Sequence, residues 1–275
     1  MNDVLSSIED IAARIPDGAR LAVSQDSTGV SMAATRALVR RGARDLKLVC
    51  VPISGLQADV LIGAGCVSTV ETSAVTLGEF GTGPRFAAAL KNGSIRVLDA
   101  TCPAIHAALQ AGQKGLPFIP LRGLIGTDVL ARRDDWKVID NPFSSGDPIA
   151  LLPAIRPDAA LFHAPMADRN GNVFIGRNRD LLTMAQASHE CFVTVEKIVD
   201  EDLMADPARS PGVIPAIYVS GVAIAERGAA PLRFLDDYPA DETVLSDYAR
   251  MGRTDEGFRT WLARWLGPAD LSTAA

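Results

Sequence analysis

The sequence is poor in the residues that build several common kinds of site. Its 275 residues include four cysteines and three histidines, and no two cysteines show the CxxC spacing. Only Cys102 has a histidine near it in sequence, His106, and one Cys/His pair supplies too few ligands for a zinc site. We therefore expect reduced thiols in a cytoplasmic protein, with neither disulfides nor a bound metal.

Positive charge and long apolar runs are also scarce. The chain carries 27 basic and 33 acidic residues, a formal net charge of −6 at pH 7. This balance argues against nucleic acid or an anionic membrane as a partner, because both attract basic surfaces. No apolar run approaches the roughly 20 residues that span a bilayer. Hydrophobic residues nevertheless make up 48% of the chain, which is enough to bury a core.

What the sequence does contain is an alternation of short apolar strands and amphipathic helices. A strand at Leu21–Val23 is followed by a helix over 30–41, and the run "DLKLVCVPI" is typical of a parallel strand covered on both faces. Pro84 and Gly93 bound a further helix. This order predicts an α/β fold: an open, mainly parallel sheet with helices on both faces.

The second half of the chain adds a hairpin and terminal helices. Asn170-Gly171 separates two apolar strands, which is a strong hairpin signal, and we expect Asp168 and Arg169 to pair across that turn. With no repeat and no linker in the sequence, we predict a single domain over 1–275, with a core at about 8–235 and a helical extension at about 236–268. Four aromatic side chains are expected to anchor that extension: Tyr248, Phe258, Trp261 and Trp265.

Common catalytic motifs are absent. The sequence has no GxSxG elbow, Walker loop, HExxH pair or GxGxxG fingerprint. His106 and His189 are interpreted as structural residues. Cys102, next to Pro103 at a helix start, is a weak candidate for a thiol of lowered pKa, and a small buried core residue is the favoured interpretation.

The loop Ser24–Gly29, "SQDSTG", is the strongest local indication of a site. It joins an apolar strand to a helix, and unpaired backbone amides converge at such a junction to bind a phosphate or an oxyanion. The alternative is that Asp26, Ser27 or Thr28 caps the following helix. The two roles are compatible.

Two longer strings indicate a family. "FIPLRGLIGTD" and "PAIRPDAALFHAPMADRNGNV", with the loops around them, resemble the alpha subunit of family I coenzyme A transferases, most closely the glutaconate type. The resemblance covers about residues 8–235. It implies a transfer of CoA from an acyl-CoA thioester to a carboxylic acid, with coenzyme A as substrate and no permanently bound cofactor.

The resemblance also implies a partner. Enzymes of this family combine alpha and beta chains, as α2β2 or larger, and their active site lies between the two chains. The nucleophilic glutamate, which carries CoA as a glutamyl thioester, comes from the beta subunit. No catalytic residue is therefore expected in this chain.

The resemblance assigns two loops to the pocket. In the first, the family normally has Gly-Gly-Phe, where this chain has Ser24, Gln25 and Asp26. Because glycine lets amides approach closely, hydroxyl or amide donors of the loop Ser24, Gln25, Asp26, Ser27, Thr28 and Gly29 would have to replace part of the oxyanion site. Further pocket candidates are Glu79 and Phe80, and the second loop, Arg122, Gly123, Gly126, Thr127 and Asp128, for which an ordinary loop with a capping residue is the alternative.

Two other functions remain open. A hydrolase of a CoA thioester or of a cyclic diketone would use the same two-chain scaffold. Hydrolytic relatives carry an acidic residue near the position of Cys102, and this chain does not match them there, which counts modestly against it. The altered loop also leaves open a structural subunit without catalytic function. The acyl substrate is not readable from the sequence.

Overall fold

The computed structural model describes residues 4–267. Its helices are α1 (Ile8–Arg14), α2 (Met32–Arg41), α3 (Leu56–Gly63), α4 (Pro84–Asn92), α5 (Cys102–Gln113), α6 (Asp128–Ala131), α7 (Arg179–Ala187), α8 (Glu242–Met251) and α9 (Asp255–Leu266). Its strands are β1 (Arg20–Ser24), β2 (Leu46–Val51), β3 (Val67–Thr72), β4 (Arg96–Asp99), β5 (Phe118–Leu121), β6 (Lys137–Asp140), β7 (Pro148–Pro153), β8 (Ala159–Asp168), β9 (Val173–Phe174), β10 (Glu190–Val199), β11 (Val213–Ile214) and β12 (Gly221–Ile224).

A nine-stranded sheet forms the centre of the molecule. Its main path runs β11-β9-β8-β1-β2-β3-β4, and β10 pairs with β8 and β12. The strands from β4 through β1 to β8, β10 and β12 are parallel, and β9 runs against them. β11 pairs antiparallel with β9 and therefore shares the direction of the other strands. The predicted open, mainly parallel sheet is confirmed.

Alternation along the central strands explains why helices cover both faces. In β1, Ala22 packs in one core with α5 and α7, while Leu21 and Val23 pack in another with α1, α2, α3 and α4. Side chains alternate across a strand, so an unbroken apolar strand needs an apolar partner on each face. The near-continuous apolar runs in the sequence reflect this double burial.

A second, three-stranded antiparallel sheet, β5-β7-β6, was not part of the sequence-based prediction. Its strands leave little signal in the sequence, because each is short and the outer two are largely exposed. Pro120 lies in β5, an edge strand, where a missing amide donor is tolerated. Only the central strand β7 buries a run of apolar side chains.

The predicted hairpin forms, but its ion pair does not. β8 and β9 pair with Met166 opposite Phe174. Asp168 accepts hydrogen bonds from the amides of Asn170 and Asn172 instead of pairing with Arg169, which contacts Asp200. The prediction of an Asp168–Arg169 pair is therefore wrong, because turn amides without backbone partners bind the nearer carboxylate.

The C-terminal helices pack as expected from their aromatic residues. Tyr248, Phe258 and Trp261 are buried, and Trp261 stacks on Trp265. The Tyr248 hydroxyl donates to Asp59 Oδ2 over 2.5 Å, which joins α8 to α3. Residue 268, the end of the predicted extension, lies outside the described residues. No helix within 4–267 has the length and apolar character that a membrane crossing requires.

Candidate active site

The carboxyl ends of β1, β2 and β3 meet at one edge of the sheet, and a cavity of about 630 Å³ opens there. Ligands of open parallel sheets bind at this edge, where successive loops converge. The cavity is lined by Gln25, Asp26, Ser27, Ile53, Ser54, Gly55, Thr76, Leu77, Gly78, Glu79, Phe80, Leu232, Arg233, Leu235, Asp236, Ala240 and Leu245. Most of its wall is apolar, and its polar groups come from the loop after β1, from the segments after β2 and β3, and from residues 233–236.

The loop Ser24–Gly29 is fixed by contacts at both ends. Ser24 Oγ donates to the Gly29 carbonyl over 3.0 Å, and the His163 amide of β8 donates to the same oxygen over 2.9 Å. Gly29 has φ +115°, and a Cβ there would lie 2.2 Å from the His163 carbonyl oxygen. Thr28 closes the turn, donating through its amide and its hydroxyl to the Gln25 carbonyl. Gln25 and Ser27 line the cavity and make no side-chain hydrogen bond within residues 4–267.

The helix after this loop is not capped by the residues that the sequence suggested. α2 begins at Met32, and its N-cap is Ser31, whose hydroxyl accepts from the Ala34 amide. The alternative that Asp26, Ser27 or Thr28 caps this helix is therefore wrong. Gly29 turns the backbone before the helix starts, and the polar loop is left facing the cavity.

Asp26 caps a different helix. Its Oδ2 accepts from the Leu56 amide, the first residue of α3, over 3.0 Å. The pKa of Asp26 is raised to about 6, chiefly by burial and to a smaller extent by the charge of Asp59, against the lowering effect of hydrogen bonds from the Leu56 and Gly55 amides. Gly55 makes this contact sterically feasible, since a Cβ there would lie 2.1 Å from Asp26 Oδ2.

The remaining walls come from two segments. A 3-10 turn at Gly78–Phe80 brings Glu79 and Phe80 to the cavity, as the family resemblance implies. Glu79 is exposed at the rim. The opposite wall consists of residues 232–245, which the sequence analysis did not include. Residues 232–235 lie at the end of the stretch that the resemblance covers, and 236–245 belong to the predicted C-terminal extension.

A buried hydrogen-bond network holds that opposite wall. Glu196 accepts from His163 Nε2 over 2.8 Å, from the Tyr238 hydroxyl over 2.9 Å and from the Arg227 amide over 2.7 Å. The His163 ring packs edge-on against Phe234, with ring centroids 4.6 Å apart. The side chains of β8 and β10 thus fix the position of segment 227–238. The search for single motifs in the sequence did not identify His163 or Glu196 as residues that support the site.

The second predicted loop lies elsewhere. None of residues 122–128 lines the cavity within the part of the chain that the structure describes. Arg122 forms a two-bond ion pair with Asp147, through Nε at 2.8 Å and Nη2 at 2.5 Å. Thr127 caps α6 by accepting from the Leu130 amide. Within this chain, the loop is therefore ordered by its own contacts and does not join Ser24–Gly29.

Cys102 also lies outside the cavity. Its side chain is exposed at the first turn of α5, with Sγ 3.1 Å from Ser73 Oγ. The favoured interpretation as a small buried core residue is wrong, because α5 begins at the sheet edge and presents its first residue to solvent. Cys50, Cys66 and Cys191 are buried.

Comparison of the sequence with known proteins identifies its family. The sequence profile of the coenzyme A transferase family matches residues 5–222. The A subunit of 3-oxoadipate CoA-transferase from Pseudomonas knackmussii is 32% identical over 99% of this chain and 96% of its own. The cholesterol ring-cleaving hydrolase IpdA subunit of Rhodococcus jostii is 29% identical over 96% and 92% of the two chains.

A solved structure agrees with the sequence relatives. The crystal structure of glutaconate coenzyme A-transferase from Acidaminococcus fermentans matches with a TM-score of 0.89 at 25% identity, over 96% of this chain and 88% of that one. The chain belongs to the coenzyme A transferase family. Within it, the chain is a transferase subunit of the alpha type, which confirms the resemblance drawn from the sequence.

Proposed function

We propose that this chain and a beta subunit together move CoA between an acyl-CoA thioester and an acceptor carboxylic acid. The beta subunit supplies the glutamate that attacks the thioester and carries CoA, and the assembly is α2β2 or larger, located in the cytoplasm. The cavity at the ends of β1, β2 and β3 carries this proposal, because it combines an apolar wall with a polar loop. An acyl chain needs the first feature and a developing oxyanion needs the second.

The loop Ser24–Gly29 stabilises the oxyanion in this proposal with side chains in place of glycine-rich backbone. Gln25 and Ser27 are the donors that face the cavity without a partner inside residues 4–267. The hydroxyls of Ser24 and Thr28 donate hydrogen bonds to backbone carbonyls of the loop itself. The four residues therefore divide into two that act on substrate and two that maintain the loop.

Alanine variants test this division in the reconstituted two-chain complex. Gln25→Ala or Ser27→Ala should lower kcat about a hundredfold with little change in Tm, because one oxyanion donor is worth roughly 3 kcal/mol in the barrier. Ser24→Ala and Thr28→Ala should lower stability by about 1 kcal/mol. Ser68→Ala is the matched control, since its hydroxyl binds backbone at the opposite end of β3. If all four variants lose stability alone, the oxyanion donors lie in the partner chain.

Hydrolysis is the second candidate, favoured by the similarity to the ring-cleaving hydrolase subunit. The same assay separates the functions. Transfer conserves the thioester while exchanging its acid. Hydrolysis either releases free CoA from a thioester or opens a cyclic diketone to a carboxylic acid by breaking a C–C bond. If the complex does neither, this chain is a structural subunit.

A further inference from the structure

Two residues that line the cavity each have one buried polar atom without a partner. Asp26 Oδ1 and Ser54 Oγ are shielded from solvent, and neither has a hydrogen-bond partner among residues 4–267. Both residues line the same cavity. Leaving a buried polar atom unpaired costs about 1–3 kcal/mol, so two of them on residues that line one cavity require an explanation.

Local geometry explains why the protein does not pair these atoms itself. Asp26 Oδ2 is committed to the Leu56 amide at the start of α3, which fixes the orientation of the carboxyl group. Ser54 immediately precedes Gly55, where a Cβ would lie 2.1 Å from Asp26 Oδ2 and 2.5 Å from the Thr76 carbonyl oxygen. The remaining oxygen of Asp26 and the hydroxyl of Ser54 are thus held at the same end of one helix. One is an acceptor when ionised and the other is a donor and an acceptor.

The surroundings restrict what these atoms bind. Apolar side chains of Ile53, Leu77 and Leu232 form the nearby walls and suit an acyl chain. The rim carries Glu79 and Asp236, and the Arg233 guanidinium is already bonded to Asp236 and to the Leu235 carbonyl. A second carboxylate at the far end of the acyl chain would meet this acidic rim and be repelled. A neutral group that both donates and accepts a hydrogen bond fits the two atoms.

We propose that Asp26 and Ser54 form a subsite for a hydroxyl group on the acyl chain of the substrate. The hydroxyl donates to Asp26 Oδ1 and accepts from Ser54 Oγ, so that neither atom stays unpaired when substrate is bound. The enzyme then favours thioesters of hydroxy monocarboxylic acids over their unsubstituted analogues. This assignment rests on the proposed CoA transfer, whose substrate class it narrows.

The test compares acyl-CoA probes of one length in the two-chain complex, with acetate as acceptor. The probes are 2-, 3- and 4-hydroxybutanoyl-CoA, butanoyl-CoA and acetoacetyl-CoA, with glutaryl-CoA as the dicarboxylate. We expect kcat/KM for at least one hydroxybutanoyl isomer to exceed that of butanoyl-CoA about tenfold or more, as one hydrogen bond to a charged group requires. Glutaryl-CoA should be the poorest substrate.

Variants assign the preference to the two residues. Ser54→Ala and Asp26→Asn should each reduce the hydroxybutanoyl-to-butanoyl ratio of kcat/KM severalfold, whereas Ser68→Ala should leave the ratio unchanged. The ratio is the readout because a general loss of folding lowers both numbers together. If one variant fails to fold, the ratio of the other variant, compared with that of the wild type, still tests the subsite.

Three outcomes would overturn the subsite: a wild-type ratio within twofold of one for every isomer, a preference for acetoacetyl-CoA, or a ratio that both variants preserve. Failure of the proposed function looks different. In that case, none of the probes, butanoyl-CoA included, transfers CoA to acetate.

Discussion

At the scale of single residues, Asp26 shows how one substitution in a loop changes the chemistry of a cavity. The family resemblance places an aromatic residue at this position, and this chain places a carboxyl group there. Its Oδ2 is tied to the Leu56 amide, and burial holds its pKa at about 6. A carboxyl group with a raised pKa binds its proton more tightly in the folded chain than in the unfolded chain.

This shift predicts a pH-dependent stability difference. The contribution of Asp26 to stability is present below about pH 4 and is lost as pH rises through about 6, because ionisation is penalised only in the folded state. The residue is only partly buried, so we expect Asp26→Asn to gain about 1–2 kcal/mol relative to wild type between pH 4.5 and pH 8. Urea unfolding of the ligand-free chain at both pH values measures this gain. Asp134→Asn, an exposed position, is the control, and an equal gain there would contradict the prediction.

Residue roles differ in how well the sequence indicates them. The loop Ser24–Gly29 was identifiable because a strand, polar residues and a helix follow each other directly. The contact of Asp26 with α3 was not, because it joins residues 30 positions apart whose meeting depends on the neighbouring strands β1 and β2. Glu196 and His163 were missed for the same reason, since their partners are 31 to 42 positions away.

At the scale of elements, a buried ion cluster connects the two sheets. Glu71 of β3 forms an ion pair with Arg20 of β1 over 2.6 Å. It forms another over 2.8 Å with Arg133, which lies between α6 and β6 of the small sheet. Arg133 also pairs with Asp135 and lies over the Trp136 ring. The side chains of Arg133 and Glu71 are 2% and 5% exposed, so each depends on its partner for compensation.

Removing the charge of Glu71 should therefore be costly. We expect Glu71→Gln to lower the free energy of unfolding by about 3 kcal/mol, because a buried guanidinium loses a carboxylate partner. Adding Arg133→Met should recover part of this loss. Glu201→Gln breaks an exposed pair with Arg209 and should cost less than about 1 kcal/mol. Chemical denaturation that finds equal losses for Glu71→Gln and Glu201→Gln would refute a stabilising role for the cluster.

The elements themselves were predictable where burial is strong. The double-sided burial of β1, β2 and β8 leaves continuous apolar runs in the sequence. The sheet β5-β7-β6 leaves no such trace, because its outer strands are exposed and its pairing joins segments up to 35 positions apart, as in Phe118 opposite Pro153. Long-range pairing of short strands is set by the tertiary structure more than by local sequence.

At the scale of the whole molecule, we predict that catalytic activity depends on a second chain. Large apolar side chains remain exposed, among them Phe143 at 95% and Ile217 at 87%. Burial of such side chains against a second chain would remove apolar surface from water and favour association. We expect the purified chain alone to catalyse no CoA transfer and to form a stable complex when produced with a beta subunit encoded beside it. Light scattering after gel filtration checks the complex. A chain that stays monomeric beside that partner, or that transfers CoA alone, would contradict this expectation.

The bond between Tyr248 and Asp59 has a consequence for how the protein is made. The two residues are 189 positions apart, and synthesis at roughly 5–20 residues per second separates their appearance by about 10–40 seconds. During that interval, α3 carries a carboxyl group that lacks its hydroxyl partner on α8. Full stability is therefore reached only after the last helices have been synthesised, and a nascent chain cut short before α8 would remain incompletely packed at the edge that bears the cavity.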